Sequence, residues 1–276
     1  MDIVAQEDGR LNADELHRHV AIPTGPRQLV DLRRATFVDP GWLVAIAAVT
    51  ERAVDEGREV HFLPPDSVSC VTYLARMRLP QHLTRLGIHH GMAAVREHPQ
   101  GDRLYELHRF DSEDEFDELA GRVQRTFRPH HPALATALYG AVHEVASNVL
   151  DHSGQSGGYL ALQRFDRRGD IAFAVADSGV GLRRSLSKRF SISDDRKAIV
   201  RASLEHVSSH DVRGRGLGIS RVIAVTGQHA GYVVLVSGTC QGVFTRGRPD
   251  PTLHDLVSPL PGTLAQARLA VAHSLS

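Results

Sequence analysis

Ala174-Val-Ala-Asp-Ser-Gly-Val-Gly-Leu182 runs an apolar strand straight into Asp177 and then into a turn carrying Gly179 and Gly181. A carboxylate at a strand end, beside glycines that let a ligand approach the backbone, suits recognition of a flat donor group. Upstream, from Ala133 to Asp151, apolar residues fall at Leu134, Leu138, Ala141, Val145 and Val149, the three- and four-residue steps of a helix. Glu144, Asn148 and His152 are spaced four apart and so share one face of it, about one residue step round from the apolar stripe. Downstream, Arg213-Gly-Arg-Gly-Leu-Gly-Ile-Ser220 sets Gly214, Gly216 and Gly218 just before an apparent helix. Exposed backbone N–H groups and the partial positive charge of a helix N-terminus together form a phosphate cradle. No Gly-Lys-Ser/Thr follows, so it is not a Walker loop, and no strand leads into it, so it is not a dinucleotide fingerprint.

Taken singly, each stretch has a plain alternative: a polar helix face in water, an ordinary Asp-Ser-Gly turn, a flexible glycine loop. Their order and spacing change the reading. Together they resemble the N, G1 and G2 boxes of the GHKL ATPase and kinase superfamily, with Glu144-Val-Ala-Ser-Asn148 and His152 similar to the N box of anti-sigma-factor serine kinases. Asp177-Ser-Gly179-Val-Gly181 resembles G1, Gly214-Arg-Gly216-Leu-Gly218 resembles G2, and Pro261-Gly262-Thr263 falls where the superfamily tends to carry a Gly-Thr pair. The resemblance covers about residues 112–270.

It implies a Mg–ATP site. Asn148 would hold Mg²⁺ at the phosphates, and Asp177 would accept a hydrogen bond from the adenine amino group in a pocket shaped by Gly179 and Gly181. Gly214, Gly216 and Gly218 would offer N–H groups to the phosphates from a stretch that includes Arg215 and Leu217. His152 and Thr263 would complete the nucleotide-binding set, residues 183–213 would form a lid, and Glu144 would be the general base. The resemblance also implies a regulatory protein partner, STAS-type or sigma-like, and dimerisation of the nucleotide domain as a homodimer.

The N-terminal part alternates strand and helix. Gln28–Leu32 and Glu59–Leu63 read as strands, Trp42–Glu56 as a helix capped by Gly57, and Ser67–Met77 and Pro80–Leu86 as further helices. This spacing predicts a small parallel α/β unit. Leu29-Val-Asp-Leu-Arg-Arg-Ala-Thr-Phe-Val-Asp39 resembles the outline of STAS anti-anti-sigma proteins, which carry Asp-Ser-Ser-Gly where this chain has Asp39-Pro40-Gly41-Trp42. The acceptor hydroxyl is therefore missing there.

Residues 89–104 are polar and broken by Pro and Gly, and the domain boundary is placed there. Ser112–Phe127 is predicted as a helix, Tyr159–Phe165 and Asp170–Ala176 as a hairpin, and Asp194–Glu205 as the one helix of a long polar stretch from Arg183 to Arg213. Helix resumes over Ile219–Val225, with three last strands at Tyr232–Val236, Val243–Arg246 and Thr263–Leu269. The expectation is a two-domain α/β protein, with a STAS-like unit over 1–95 and, over 96–276, a GHKL α/β sandwich with a mixed, largely antiparallel sheet.

Bulk properties narrow the function. Lys+Arg and Asp+Glu both number 32, so net charge gives no general pull on nucleic acid or anionic membrane. Cys70 and Cys240 form no metal or disulfide spacing, Met1–Arg10 is too polar for a signal peptide, and no apolar run reaches bilayer length. A cytoplasmic protein without direct nucleic-acid or membrane contact is expected. His143-Glu144 lacks the second zincin histidine at Ser147, and Gly154-Gln-Ser156-Gly-Gly158 runs from helix to strand, the wrong way for a nucleophile elbow. Three functions stay open: a serine/threonine kinase or ATPase acting on a partner, a non-catalytic ATP-gated switch, and an α/β domain for an unrelated small molecule.

Overall fold

The computed structural model describes residues 1–93, 104–128, 132–152, 157–204, 218–248 and 250–270. Its N-terminal part contains β1 (Asp2–Val4), β2 (Arg10–Leu11), α1 (Leu16–His19), β3 (Val20–Ala21), β4 (Gln28–Asp31), β5 (Phe37–Val38), α2 (Pro40–Asp55), β6 (Val60–Leu63), α3 (Val68–Arg76) and α4 (Leu79–Arg85). Strands β1, β4 and β6 are parallel, but β3 joins the edge antiparallel to β1, so the expected parallel unit is a mixed sheet of order β3-β1-β4-β6. The first strand lies inside the polar stretch Met1–Arg10, where Ile3 is fully buried.

The second part contains β7 (Leu104–Phe110), α5 (Glu113–Phe127), α6 (Pro132–His152), β8 (Gly158–Phe165), β9 (Asp170–Ala176), α7 (Gly181–Leu186), α8 (Asp195–Ala202), α9 (Gly218–Gln228), β10 (Tyr232–Thr245) and β11 (Thr252–Ala270). The strands form one sheet of order β10-β11-β9-β8-β7, and every pairing in it is antiparallel. The hairpin β8–β9 closes where expected, with Tyr159 opposite Ala176 and Phe165 opposite Asp170. Three expected last strands prove to be two long ones, because β10 continues through a register shift at Gly238 and β11 carries Pro259 and Pro261 within it. The polar stretch after Gly181 holds two helices, α7 and α8, rather than one.

Side chains alternate across a strand, so each face of this sheet buries its own set. One face presents Leu160, Leu162, Phe173, Val175, Val233, Leu235 and Ala267 to a core shared with α5, α6 and α9. The other presents Tyr159, Ala161, Ala174, Ala176, Val234, Val236 and Leu264 to the N-terminal part. The element that meets this face is α2, which packs on β8, β9 and β11 as well as on β4 and β6.

Every residue of α2 from Pro40 to Thr50 is buried. A helix apolar all round belongs in an interior, and Trp42-Leu-Val-Ala-Ile-Ala-Ala-Val49 supplies that surface. Fully burying a side chain such as Leu43 or Ile46 contributes about 1.5–3 kcal/mol each. Asp39 caps the helix by accepting from the Trp42 N–H (3.0 Å), and Pro40 sits at its first position, where no N–H is needed.

The same carboxylate fastens the helix to the sheet. Its other oxygen accepts from the Ala13 N–H (2.9 Å) and from Gln266 Nε2 on β11 (3.0 Å), while Gln266 Oε1 accepts from the Gly41 N–H (2.6 Å). Burial pushes the Asp39 pKa above the usual carboxylate range, against the pull of these donors. A Cβ on Gly41 would strike Gln266 and Ala13. The Asp39-Pro40-Gly41-Trp42 turn, where the resembled proteins carry their acceptor serine, is thus shut inside the molecule. Further ties join the two parts: Arg109 Nε to Glu51 (3.0 Å), Arg85 to the Tyr159 hydroxyl (3.0 Å), and the Tyr73 hydroxyl to Gln163 (2.8 Å). The boundary between 95 and 96 falls outside the described residues, but the core that α2 organises draws side chains from both sides of it.

Candidate functional site

Asp177 follows the last residue of β9, and its backbone N–H donates to the Thr263 carbonyl on β11 (3.0 Å). Its carboxylate then bridges two turns. Oδ1 accepts from the Gly179 N–H (2.7 Å) and Oδ2 from the Thr263 N–H (3.2 Å). Asp177 is 3% exposed, and among the described residues no cation contributes to holding its charge, so burial pushes its pKa up to about 7. The two N–H donors pull the other way and do not compensate. Beside it, the Ser178 hydroxyl is 1% exposed and has no hydrogen-bond partner among the described residues.

Two glycines make this packing possible. Gly262 has φ +70, and a Cβ there would strike the Asp177 carbonyl and its Oδ1. Gly181 has φ +74 at the head of α7, and its Cβ would lie 2.9 Å from Ser237 Oγ and 3.2 Å from the Gly262 carbonyl. Left-handed backbone and close approach both call for glycine. Ser237 on β10 receives the Leu182 N–H (2.9 Å) and donates to the Gly262 carbonyl (2.9 Å), joining the turn after β9 to the turn in β11.

Asp177, Gly179, Gly181 and Thr263, separated by more than eighty residues of sequence, are therefore brought together. The structure describes Glu144, Asn148 and His152 only through the backbone of α6. Among the described side chains of that helix, Ala135, Val142, Ala146 and Val149 are buried in the core shared with the sheet, and His143 meets Phe116 and Asp117 of α5. Leu134, Leu138, Ala141 and Val145, four of the five residues of the expected apolar stripe, are likewise described only through the backbone of that helix. The C-terminal end of α6 reaches the Asp177 end of the sheet: a Cβ on Gly158 would lie 2.8 Å from both Val149 Cγ1 and the Ala176 carbonyl. Helix α9, headed by Gly218, packs against α6. Gly214, Arg215, Gly216 and Leu217 lie outside the described residues.

The first part of the expected lid is anchored. Ala198, Ile199 and Ala202 of α8 are buried, and Asp195 Oδ2 accepts from both the Thr239 N–H (2.8 Å) and its hydroxyl (2.9 Å) on β10. The rest, from 205 to 213, lies outside the described residues. No helix among the described residues is long and apolar enough to cross a membrane, and they hold no group of three metal-ligating side chains. Sequence reasoning misses Ser237, which belongs to no motif and lies within an apolar strand. Gly262 stands out only through the Gly-Thr pair.

No protein-family model matches this chain, and neither does any curated protein.

Proposed function

We propose that the chain is a Mg–ATP-binding regulatory protein whose nucleotide domain is of the GHKL type and whose N-terminal unit is STAS-like. The observation that carries this reading is the Asp177 carboxylate, buried with no cation beside it among the described residues and held by backbone N–H groups between two glycine-dependent turns. Burying a carboxylate with no cation beside it costs stability. A ligand amino group that donates to Asp177 offsets that cost, as the adenine amino group does. The Ser178 hydroxyl, without a hydrogen-bond partner among the described residues, adds a second polar group beside it.

In this reading Asp177 selects the base, with Gly179, Gly181 and Thr263 shaping its surroundings. Asn148 holds the metal, Glu144 is the candidate base, His152 completes the helix face, and Gly214, Arg215, Gly216, Leu217 and Gly218 receive the phosphates. Bound Mg²⁺ supplies charge neutralisation at the phosphates. The function is an ATPase or serine/threonine kinase acting on a protein partner.

A second reading, a non-catalytic switch, draws support from the buried Asp39–Trp42 turn. That turn offers no acceptor hydroxyl and no surface, so the N-terminal unit serves as a cover for the sheet and not as a built-in substrate. Partner-free turnover and phosphotransfer assays separate the two readings.

The first test is thermal stabilisation by Mg–ATP, Mg–ADP and Mg–GTP. A ligand that binds only the folded state stabilises it by about 2.7 kcal/mol at a hundredfold excess over Kd. Both adenine nucleotides should raise the melting temperature by several degrees, and GTP, which presents a carbonyl where adenine has its amino group, should not. No shift with any nucleotide, backed by direct titration, overturns the nucleotide reading.

A pH dependence follows. The free carboxyl titrates at about 7, and an amino donor favours its ionised form. Adenosine, which carries no titrating phosphate, should bind fully above about pH 8 and lose roughly tenfold in affinity per pH unit well below 7. Calorimetric titration across that range checks it, and a flat profile would count against Asp177 as the acceptor.

A further inference from the structure

We infer that Ser237 is a positioning residue for base recognition at the proposed nucleotide site, acting through the Gly262–Thr263 peptide plane. The inference rests on the nucleotide reading above and adds the group that regulates the acceptor strength of Asp177.

The peptide unit between Gly262 and Thr263 is planar, so its carbonyl and its N–H turn together. Ser237 Oγ donates to that carbonyl (2.9 Å), while the N–H on the opposite side of the same plane donates to Asp177 Oδ2 (3.2 Å). Gly262, with φ +70 and no side chain, gives the plane little resistance to rotation on its own. The serine hydroxyl holds the carbonyl side of this plane, and with the Asp177 N–H that the Thr263 carbonyl accepts it sets the angle at which the Thr263 N–H meets the carboxylate. Its lone pair meanwhile accepts the Leu182 N–H (2.9 Å), which ties the far end of the Asp177–Gly181 turn to the same point. Ser237 is 3% exposed, so bulk water does not reach its hydroxyl. Without the hydroxyl, Asp177 loses the alignment of one of its two backbone donors, its charged form is less well held, and it accepts an amino group less well near neutral pH.

The experiment compares adenosine with purine riboside, which lacks only the amino group, on wild type, Ser237→Ala and Ser237→Cys. Wild type should prefer adenosine by at least tenfold. In Ser237→Ala that preference should shrink to within about threefold, and the pH midpoint of adenosine binding should move upward. Ser237→Cys, with a weaker donor of similar size, should fall between, and it carries the test if the alanine variant does not fold. Equal weakening of both ligands, or an unchanged preference and midpoint, would show that Ser237 has only a structural part and would overturn the inference. If wild type binds neither nucleoside nor ATP, the nucleotide reading itself fails and takes this role with it.

Discussion

Replacing Asp177 with asparagine is expected to cut affinity for adenosine and its nucleotides by about 10- to 100-fold, the worth of a hydrogen bond to a charged acceptor. The introduced amide would also turn an N–H toward the adenine amino group, setting donor against donor. The variant should nevertheless fold. The folded-state pKa of Asp177 lies above its unfolded value of 3.8, at about 7. The native state therefore binds the extra proton between those values, and stability from this group falls as pH rises through that window. Above about pH 7 the ionised, buried carboxylate is a cost, which the neutral amide removes. Against this, asparagine keeps only one acceptor oxygen for the Gly179 and Thr263 N–H groups. Apo Asp177→Asn should thus gain on wild type as pH rises from about 4 to about 7, while losing about half or more of the ATP-induced stabilisation at a ligand concentration of about a hundred times the wild-type Kd. If the variant retains that stabilisation in full, base recognition lies elsewhere. If it melts far below wild type at pH 8, Asp177 is a structural bridge first.

The elements that sequence reading places best are those whose signal is local. Helix α2 ends where Gly57 stops it and α5 starts at a serine that caps it, and the β8–β9 hairpin follows its own turn residues. What it misplaces depends on partners far along the chain. Strand β7 beyond Leu104 is given no element by the sequence reading, because the alternation Tyr105-Glu-Leu-His108 is short and stops at Arg109, yet as an edge strand it needs only one neighbour, β8. Strands β10 and β11 read as interrupted at Gly238 and at Pro259 and Pro261, residues that usually end a strand but here accompany a register shift. The candidate site divides in the same way. Asp177 and its glycines are visible because they sit together in nine residues. Ser237 acts from a third strand through hydrogen bonds that no spacing encodes. The Asp39 turn misleads in another sense: the absence of a serine is legible, but not that Gln266, more than two hundred residues on, occupies the space beside it.

Trp42 offers the sharpest test of how far the two halves of the chain depend on each other. It is the chain's single tryptophan, fully buried, with its indole N–H donating to the Asn12 carbonyl (3.1 Å) and its ring meeting His19 edge-on. Its fluorescence therefore reports on the N-terminal part, while far-UV circular dichroism is weighted toward the long strands and helices of the second. Because α2 fills the space between both sheets, the two signals should change together through a urea titration. Independent units over 1–95 and 96–276 would instead give two midpoints. Trp42→Ala should lower stability by about 3–5 kcal/mol, the usual cost of emptying a large aromatic site. The isolated segment 96–276 should lack a cooperative melt, since Tyr159, Ala174, Ala176, Val234, Val236 and Leu264 would lose their cover and form an exposed apolar face. Ala176 and Leu264 are the immediate neighbours of Asp177 and Thr263, so loss of that cover should also weaken nucleotide binding, though no residue of α2 belongs to the proposed base-binding set. A fragment that folds and binds ATP with wild-type affinity would show that the sheet does not need the helix, and that the N-terminal unit was added to a domain already complete.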